Sequence, residues 1–88
     1  MHPDRAMTFI GLAALYSGQG KYAEAEPLYK HALAIQEKTL GPTHPDLATS
    51  LEHYADLLRK MKRETLAAEM EARAETIRTK RSGTRPGQ

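Results

Sequence analysis

Apolar residues fall into two helical stripes in the first half of the chain. Phe9, Leu12, Ala13 and Tyr16 recur at i, i+3, i+4 and i+7, and Tyr22, Ala25, Leu28, Tyr29, Ala32 and Ile35 resume the period after a short polar break. This spacing predicts two amphipathic helices. The break, Ser17-Gly18-Gln19-Gly20, holds glycines that reach positive φ without a Cβ clash, so the chain can leave the first helix and fold back as an antiparallel hairpin. The second helix is expected to stop near Thr39-Leu40, where Gly41 and Pro42 supply the signal, and Pro45 suits the first turn of a third helix. His44, or Thr43 beside it, then takes the cap position, with Asp46 near the positive end of the helix.

The tripeptide His-Pro-Asp begins at His2 and again at His44, 42 residues later. The same offset aligns Ala6 with Ala48, Ala13 with Ala55, Leu15 with Leu57, Ala25 with Ala67, Ala32 with Ala74, Ile35 with Ile77 and Gly41 with Gly83. These are the small, apolar and boundary residues that packing and turn geometry constrain, so the chain reads as two copies of one hairpin. His-Pro-Asp is then a helix-start device: proline has no N–H to leave unsatisfied, and the aspartate meets the free amides of the first turn. J-domain co-chaperones also carry this tripeptide, but as a single loop element between two helices; here it opens two equivalent helices.

Composition narrows the class. At 88 residues the chain is one small domain, rich in Ala, Leu, Glu, Lys and Arg, with one Phe and no Trp, a balance that favours helix over strand. The absence of Cys excludes disulfides, thiolate metal sites and a cysteine nucleophile, and fits a reducing compartment. No apolar run approaches the ~20 residues that span a bilayer, and no basic-then-hydrophobic leader follows Met1, so a soluble cytoplasmic domain is expected, with no membrane contact.

The pattern Phe9-x2-Leu12-Ala13-x2-Tyr16, then Gly20-x-Tyr22-x2-Ala25-x3-Tyr29-x2-Ala32, resembles the tetratricopeptide repeat, with Phe9 at its aromatic position and Ala13 at its small one. The 42-residue period, longer than the ordinary repeat by about two helical turns, and the closing stretch GKYAEAEPLYKHALAIQEKTLG are similar to kinesin light chain-like repeats. The resemblance implies an all-α fold: two tandem helix-turn-helix repeats forming a short right-handed α-solenoid of four main helices. The domain is expected over residues 1–80, repeat 1 about 2–41 and repeat 2 about 44–80, followed by a disordered polar tail at 81–88.

The second unit departs from the first. Leu51 stands at the aromatic position, Leu58, Glu64 and Glu71 replace tyrosines, and Lys62 replaces the turn glycine, while Ala55, Ala67 and Ala74 keep the close-approach positions. A helix with glutamates where aromatics would sit has less need of a following repeat, so Glu64 to Lys80 is expected to act as a solvating cap. Asp46 to Lys80 contains no Gly or Pro, so the stretch also permits one continuous helix that pairs with another chain as a swapped dimer. Two repeats are fewer than the ~3 that usually make a robust array, which suggests a piece of a longer array or a self-associating domain, a possible homo-oligomer.

Chemistry at a reactive centre is not written in the sequence. His2, His31, His44 and His53 include no pair at i, i+4, and no nucleophile elbow or glycine-rich loop after a strand is present, so neither a metal site, a cofactor nor an enzyme is expected. Residues 57–88 hold nine Lys or Arg against four Asp or Glu, with Arg59, Lys60, Lys62 and Arg63 clustered at the second turn. With Arg78, Lys80, Arg81 and Arg85 along the last helix and tail, that cluster offers an alternative, a phosphate- or nucleic-acid-binding adaptor using the basic C-terminal helix, but no aromatic follows Tyr54 to stack bases, which argues against nucleic acid. The reading that remains is a protein-protein interaction module. By the register of the repeat, the first helix of each unit lines a concave face, through Met7, Ile10, Gly11, Ala14 and Ser17 in unit one and Thr49, Glu52, His53, Asp56 and Arg59 in unit two. Kinesin light chain-like repeats usually place paired asparagines where this chain has Ile10-Gly11 and Glu52-His53, a departure that bears on the family's peptide-backbone clamp. The surface left could take a short peptide with an apolar anchor followed by a basic or mixed residue.

Overall fold

In the computed structural model, which describes residues 4–82, the two hairpins are four helices: α1 (Asp4–Gly18), α2 (Tyr22–Thr39), α3 (Pro45–Lys60) and α4 (Glu64–Ser82). No strand occurs among the described residues. Tyr22 and Glu64, which open α2 and α4, stand at the 42-residue offset read from the sequence. α4 runs two residues past the expected limit at Lys80; the remainder of the polar tail, like the first His-Pro pair at His2 and Pro3, lies outside the described residues.

Local chemistry sets the helix ends. At the start of α3, His44 itself is the cap: its Nδ1 accepts the Asp46 backbone N–H at 3.0 Å, and Pro45 follows in the first turn, where no N–H is needed. Both hairpin turns use one hydrogen-bond scheme. Lys21 N–H donates to the Tyr16 carbonyl at 2.8 Å and Gly20 N–H to Ser17, and 42 residues on Arg63 N–H donates to Leu58 at 2.8 Å and Lys62 N–H to Arg59. This is the pair of bonds that closes a helix through one left-handed residue. Gly20 occupies that position with φ 81°, and Lys62 with φ 63°.

The second hairpin is therefore closed, despite a sequence that would tolerate a continuous helix, because the tertiary contacts of α4 with α3 hold a lysine in a conformation that disfavours side chains. Replacing Lys62 with glycine is expected to raise stability by about 0.5–1 kcal/mol, while Gly20→Ala lowers it by about 1 kcal/mol. Equilibrium urea unfolding checks the pair, and a destabilised Lys62→Gly would contradict the account.

α1 packs against α2 and α3 against α4; α2 also packs against α3, and α1 touches α3 only lightly. The alanines make these approaches possible. Ala13, Ala25, Ala32, Ala55 and Ala74 have no solvent exposure, and Ala67 has almost none, so the helices meet at their backbones in both hairpins. α3 lies between two helices, and Leu47, Leu51, Tyr54, Leu57 and Leu58 are all buried. Their equivalents in α1 are Arg5, Phe9, Leu12, Leu15 and Tyr16, each exposed or half-buried, because among the described residues only α2 packs closely on α1.

One polar cluster joins the repeats. The Tyr54 hydroxyl donates to Glu26 Oε2 at 2.7 Å, and the Arg63 guanidinium donates to both Glu26 oxygens at 2.9 Å. The Tyr29 and Tyr54 rings lie beside it, 6.1 Å apart between centroids. Burial pushes the Glu26 carboxyl up, but the Tyr54 hydrogen bond and the Arg63 charge outweigh it and hold the group below its ordinary value. Burial and the bond to the Glu26 carboxylate together raise the Tyr54 phenol well above its usual range.

Candidate functional site

α1 and α3 present one face of the stack, and two clefts open between them. The first, about 230 Å³, has Met7 and Ile10 of α1 on one side, Thr49, Ser50 and His53 of α3 on the other, Asp46 at the start of α3, and Gln36 contributed by α2. The second, about 190 Å³, lies one to two turns further along, between Ala14, Ser17 and Gly18 of α1 and His53, Asp56, Leu57 and Lys60 of α3, with Tyr29 of α2 also lining it. His53 borders both, so the two clefts adjoin and lie along one α1–α3 track.

Of the ten residues assigned to this face from the sequence, seven line the track: Met7, Ile10, Ala14, Ser17, Thr49, His53 and Asp56. Ser17 does so as a largely buried wall, not as the open contact expected, because it sits on the α1 stripe that turns toward α2 with Ala6 and Ala13. The other three line neither cleft. Glu52 pairs with Arg78 and Arg59 with Glu71, both across to α4, so these side chains serve the second hairpin and line neither cleft. Gly11 is exposed and lines neither cleft.

Ion pairs engage two of the four cations at the second turn, Arg59 and Arg63. Arg63 bonds Glu26 and Arg73 bonds Glu37 at 2.7 Å, in addition to the Arg59 and Arg78 pairs. These pairs tie four of the cations of the C-terminal third to acids of neighbouring helices, which narrows the phosphate-patch alternative to the lysines and the tail. His31 is exposed on α2, edge-on to Phe9 with centroids 4.6 Å apart. Among the described residues no group of three His, Cys, Asp or Glu is placed to hold a metal ion, and no helix is long and apolar enough to cross a membrane.

A family model described as tetratricopeptide repeat matches residues 4–80, the span of all four helices but the last two residues. The chain belongs to the tetratricopeptide repeat family. Such repeats are generally protein-protein interaction modules, so the α1–α3 face is a surface in a fold built to present surfaces.

Sequence reasoning missed Gln36. It is 3% exposed, and its Oε1 is the one buried side-chain nitrogen or oxygen among the described residues with no hydrogen-bond partner. An unpaired buried acceptor costs about 1–3 kcal/mol. The signal was present in the spacing: Tyr29, Leu33 and Gln36 fall at i, i+4 and i+7, a second stripe of α2 beside the one that meets α1. A tetratricopeptide hairpin read by itself shows one stripe per helix; the second becomes necessary only when a neighbouring repeat stacks on it.

Proposed function

We propose that this chain is a non-catalytic interaction module that binds an extended peptide segment of a partner protein along the α1–α3 track. The observation that carries the reading is the pair of contiguous clefts bordered by His53, walled by apolar Met7, Ile10, Ala14 and Leu57, with Met7 62% exposed at the mouth. Apolar walls beside polar side chains suit an extended chain, which offers alternating side chains to successive depressions. The 42-residue period supports placing the repeats with the kinesin light chain-like kind, although Ile10-Gly11 and Glu52-His53 replace its paired asparagines. The cysteine-free composition is compatible with a reducing cytoplasm.

Peptides selected from a random display library against the chain test this reading. Ile10→Glu is expected to weaken the selected peptides about tenfold or more, and their affinity is expected to change little between roughly 50 and 200 mM salt. Steep loss with salt and indifference to Ile10→Glu would move the binding surface to the cations outside the track.

A further inference from the structure

The first cleft has an uncompensated carboxylate that the second does not share. Gln36 reaches it from α2, behind the two helices that wall it, and carries the unpaired Oε1. Asp46 is the one charged carboxylate in its lining, and no lysine or arginine lines it. Its walls are the aliphatic side chains of Met7 and Ile10. In the second cleft Asp56 is matched by Lys60, so charge there is balanced.

We propose that the Met7–Gln36–Asp46 cleft is a pocket for a basic side chain of the bound peptide. Lysine and arginine carry an aliphatic stem, which lies against Met7 and Ile10, and a head that only donates hydrogen bonds, which meets the Asp46 carboxylate and, once the Gln36 carboxamide turns from its buried position toward the cleft, Oε1. The alternatives fit worse. An apolar side chain leaves Oε1 unpaired, and an acidic one sets a second carboxylate against Asp46 with no cation beside it. Retention of glutamine on a stripe that Tyr29 and Leu33 otherwise bury as rings and methyl groups is explained if its oxygen has a use when a ligand arrives. This inference rests on the peptide-binding reading of the face and adds the side chain that the face selects.

The test uses the full chain, isotopically labelled, titrated with three peptides followed by NMR: acetyl-Ala-Arg-Ala-amide, acetyl-Ala-Lys-Ala-amide and the neutral isostere acetyl-Ala-norleucine-Ala-amide. The two basic peptides are expected to bind at least about fivefold more tightly than the norleucine peptide, with shifts at the Gln36 side-chain amide, Ile10 and Thr49. Gln36→Met, which removes the unpaired oxygen without removing volume, is expected to keep or raise the melting temperature while erasing most of that preference. Asp46→Asn reduces it in part. Equal binding of all three peptides at these residues overturns the basic pocket and leaves the peptide-binding reading intact. A basic preference whose shifts map to α4, or one that survives Gln36→Met and Asp46→Asn together, overturns it as well. If neither these peptides nor the display-selected ones perturb α1 or α3, the peptide-binding reading itself falls, and the pocket with it.

Discussion

Leu51→Ala is expected to lower the free energy of unfolding by about 3 kcal/mol, whereas Phe9→Ala, at the equivalent position of the first repeat, is expected to cost only about 1 kcal/mol. The larger residue gives the smaller loss because of where the helices lie. Leu51 has no solvent exposure in a helix packed between α2 and α4, while Phe9 is half-buried in a helix with α2 alone packed closely on it. Truncating Leu51 removes buried methyl groups and leaves a cavity that two neighbours cannot close; truncating Phe9 removes contacts from a rim that water already reaches. In a domain of this size the Leu51 variant should melt roughly 12 °C or more below the parent, which thermal unfolding by circular dichroism reads directly. Equal losses at the two positions would mean that α1 is covered as fully as α3, and the described packing would be wrong.

Glu26→Ala carries the second large effect, a loss of about 2 kcal/mol, because it leaves the buried Tyr54 hydroxyl without its acceptor and the Arg63 guanidinium without its carboxylate. Arg63 is partly exposed and screened, so most of the loss belongs to the Tyr54 bond. In a double-mutant cycle, Tyr54→Phe and Glu26→Ala are therefore expected to be coupled by about 1 kcal/mol. The pH dependence follows from the lowered pKa of Glu26. The folded state holds the Glu26 carboxyl below its ordinary 4.5, so on acidification the unfolded chain takes up the proton first. The stability from Glu26 is thus complete above pH 4.5 and is lost as pH falls through the lower folded value. Urea midpoints measured from pH 6 down to pH 3 should fall for the parent and fall less for Glu26→Ala; parallel curves would show that the cluster does not hold the repeats together.

Much of the molecule was legible before any coordinates. The i, i+3, i+4, i+7 stripes, the glycine break and the His-Pro-Asp starts define the first hairpin and the start of α3, because each signal acts within one or two turns of chain, while the second hairpin followed only from the 42-residue repeat. The repeat offset then marked Ala13, Ala25, Ala32 and their partners as close-approach positions, and they are fully or almost fully buried. The α1–α3 track was legible in part. Seven of its residues followed from the register of the repeat in each first helix. Glu52 and Arg59 turn instead to Arg78 and Glu71, because a long charged side chain on a helix flank can reach either neighbour, and the position of α4 decides which.

The sequence by itself determined the first hairpin, the start of α3 and the alanine seams along which each hairpin closes, since periodicity, caps and turns are local properties of the chain, but it left open whether α3 and α4 are two helices or one. Only the tertiary structure decided how the repeats are joined and what the track contains. Glu26 meets Tyr54 and Arg63 across 28 and 37 residues, Lys62 is held at positive φ by the hairpin it closes, and Gln36 is buried without a partner in a cleft walled by two other helices. These arrangements depend on where α2 lies against α3, a relation between distant segments that no local pattern encodes.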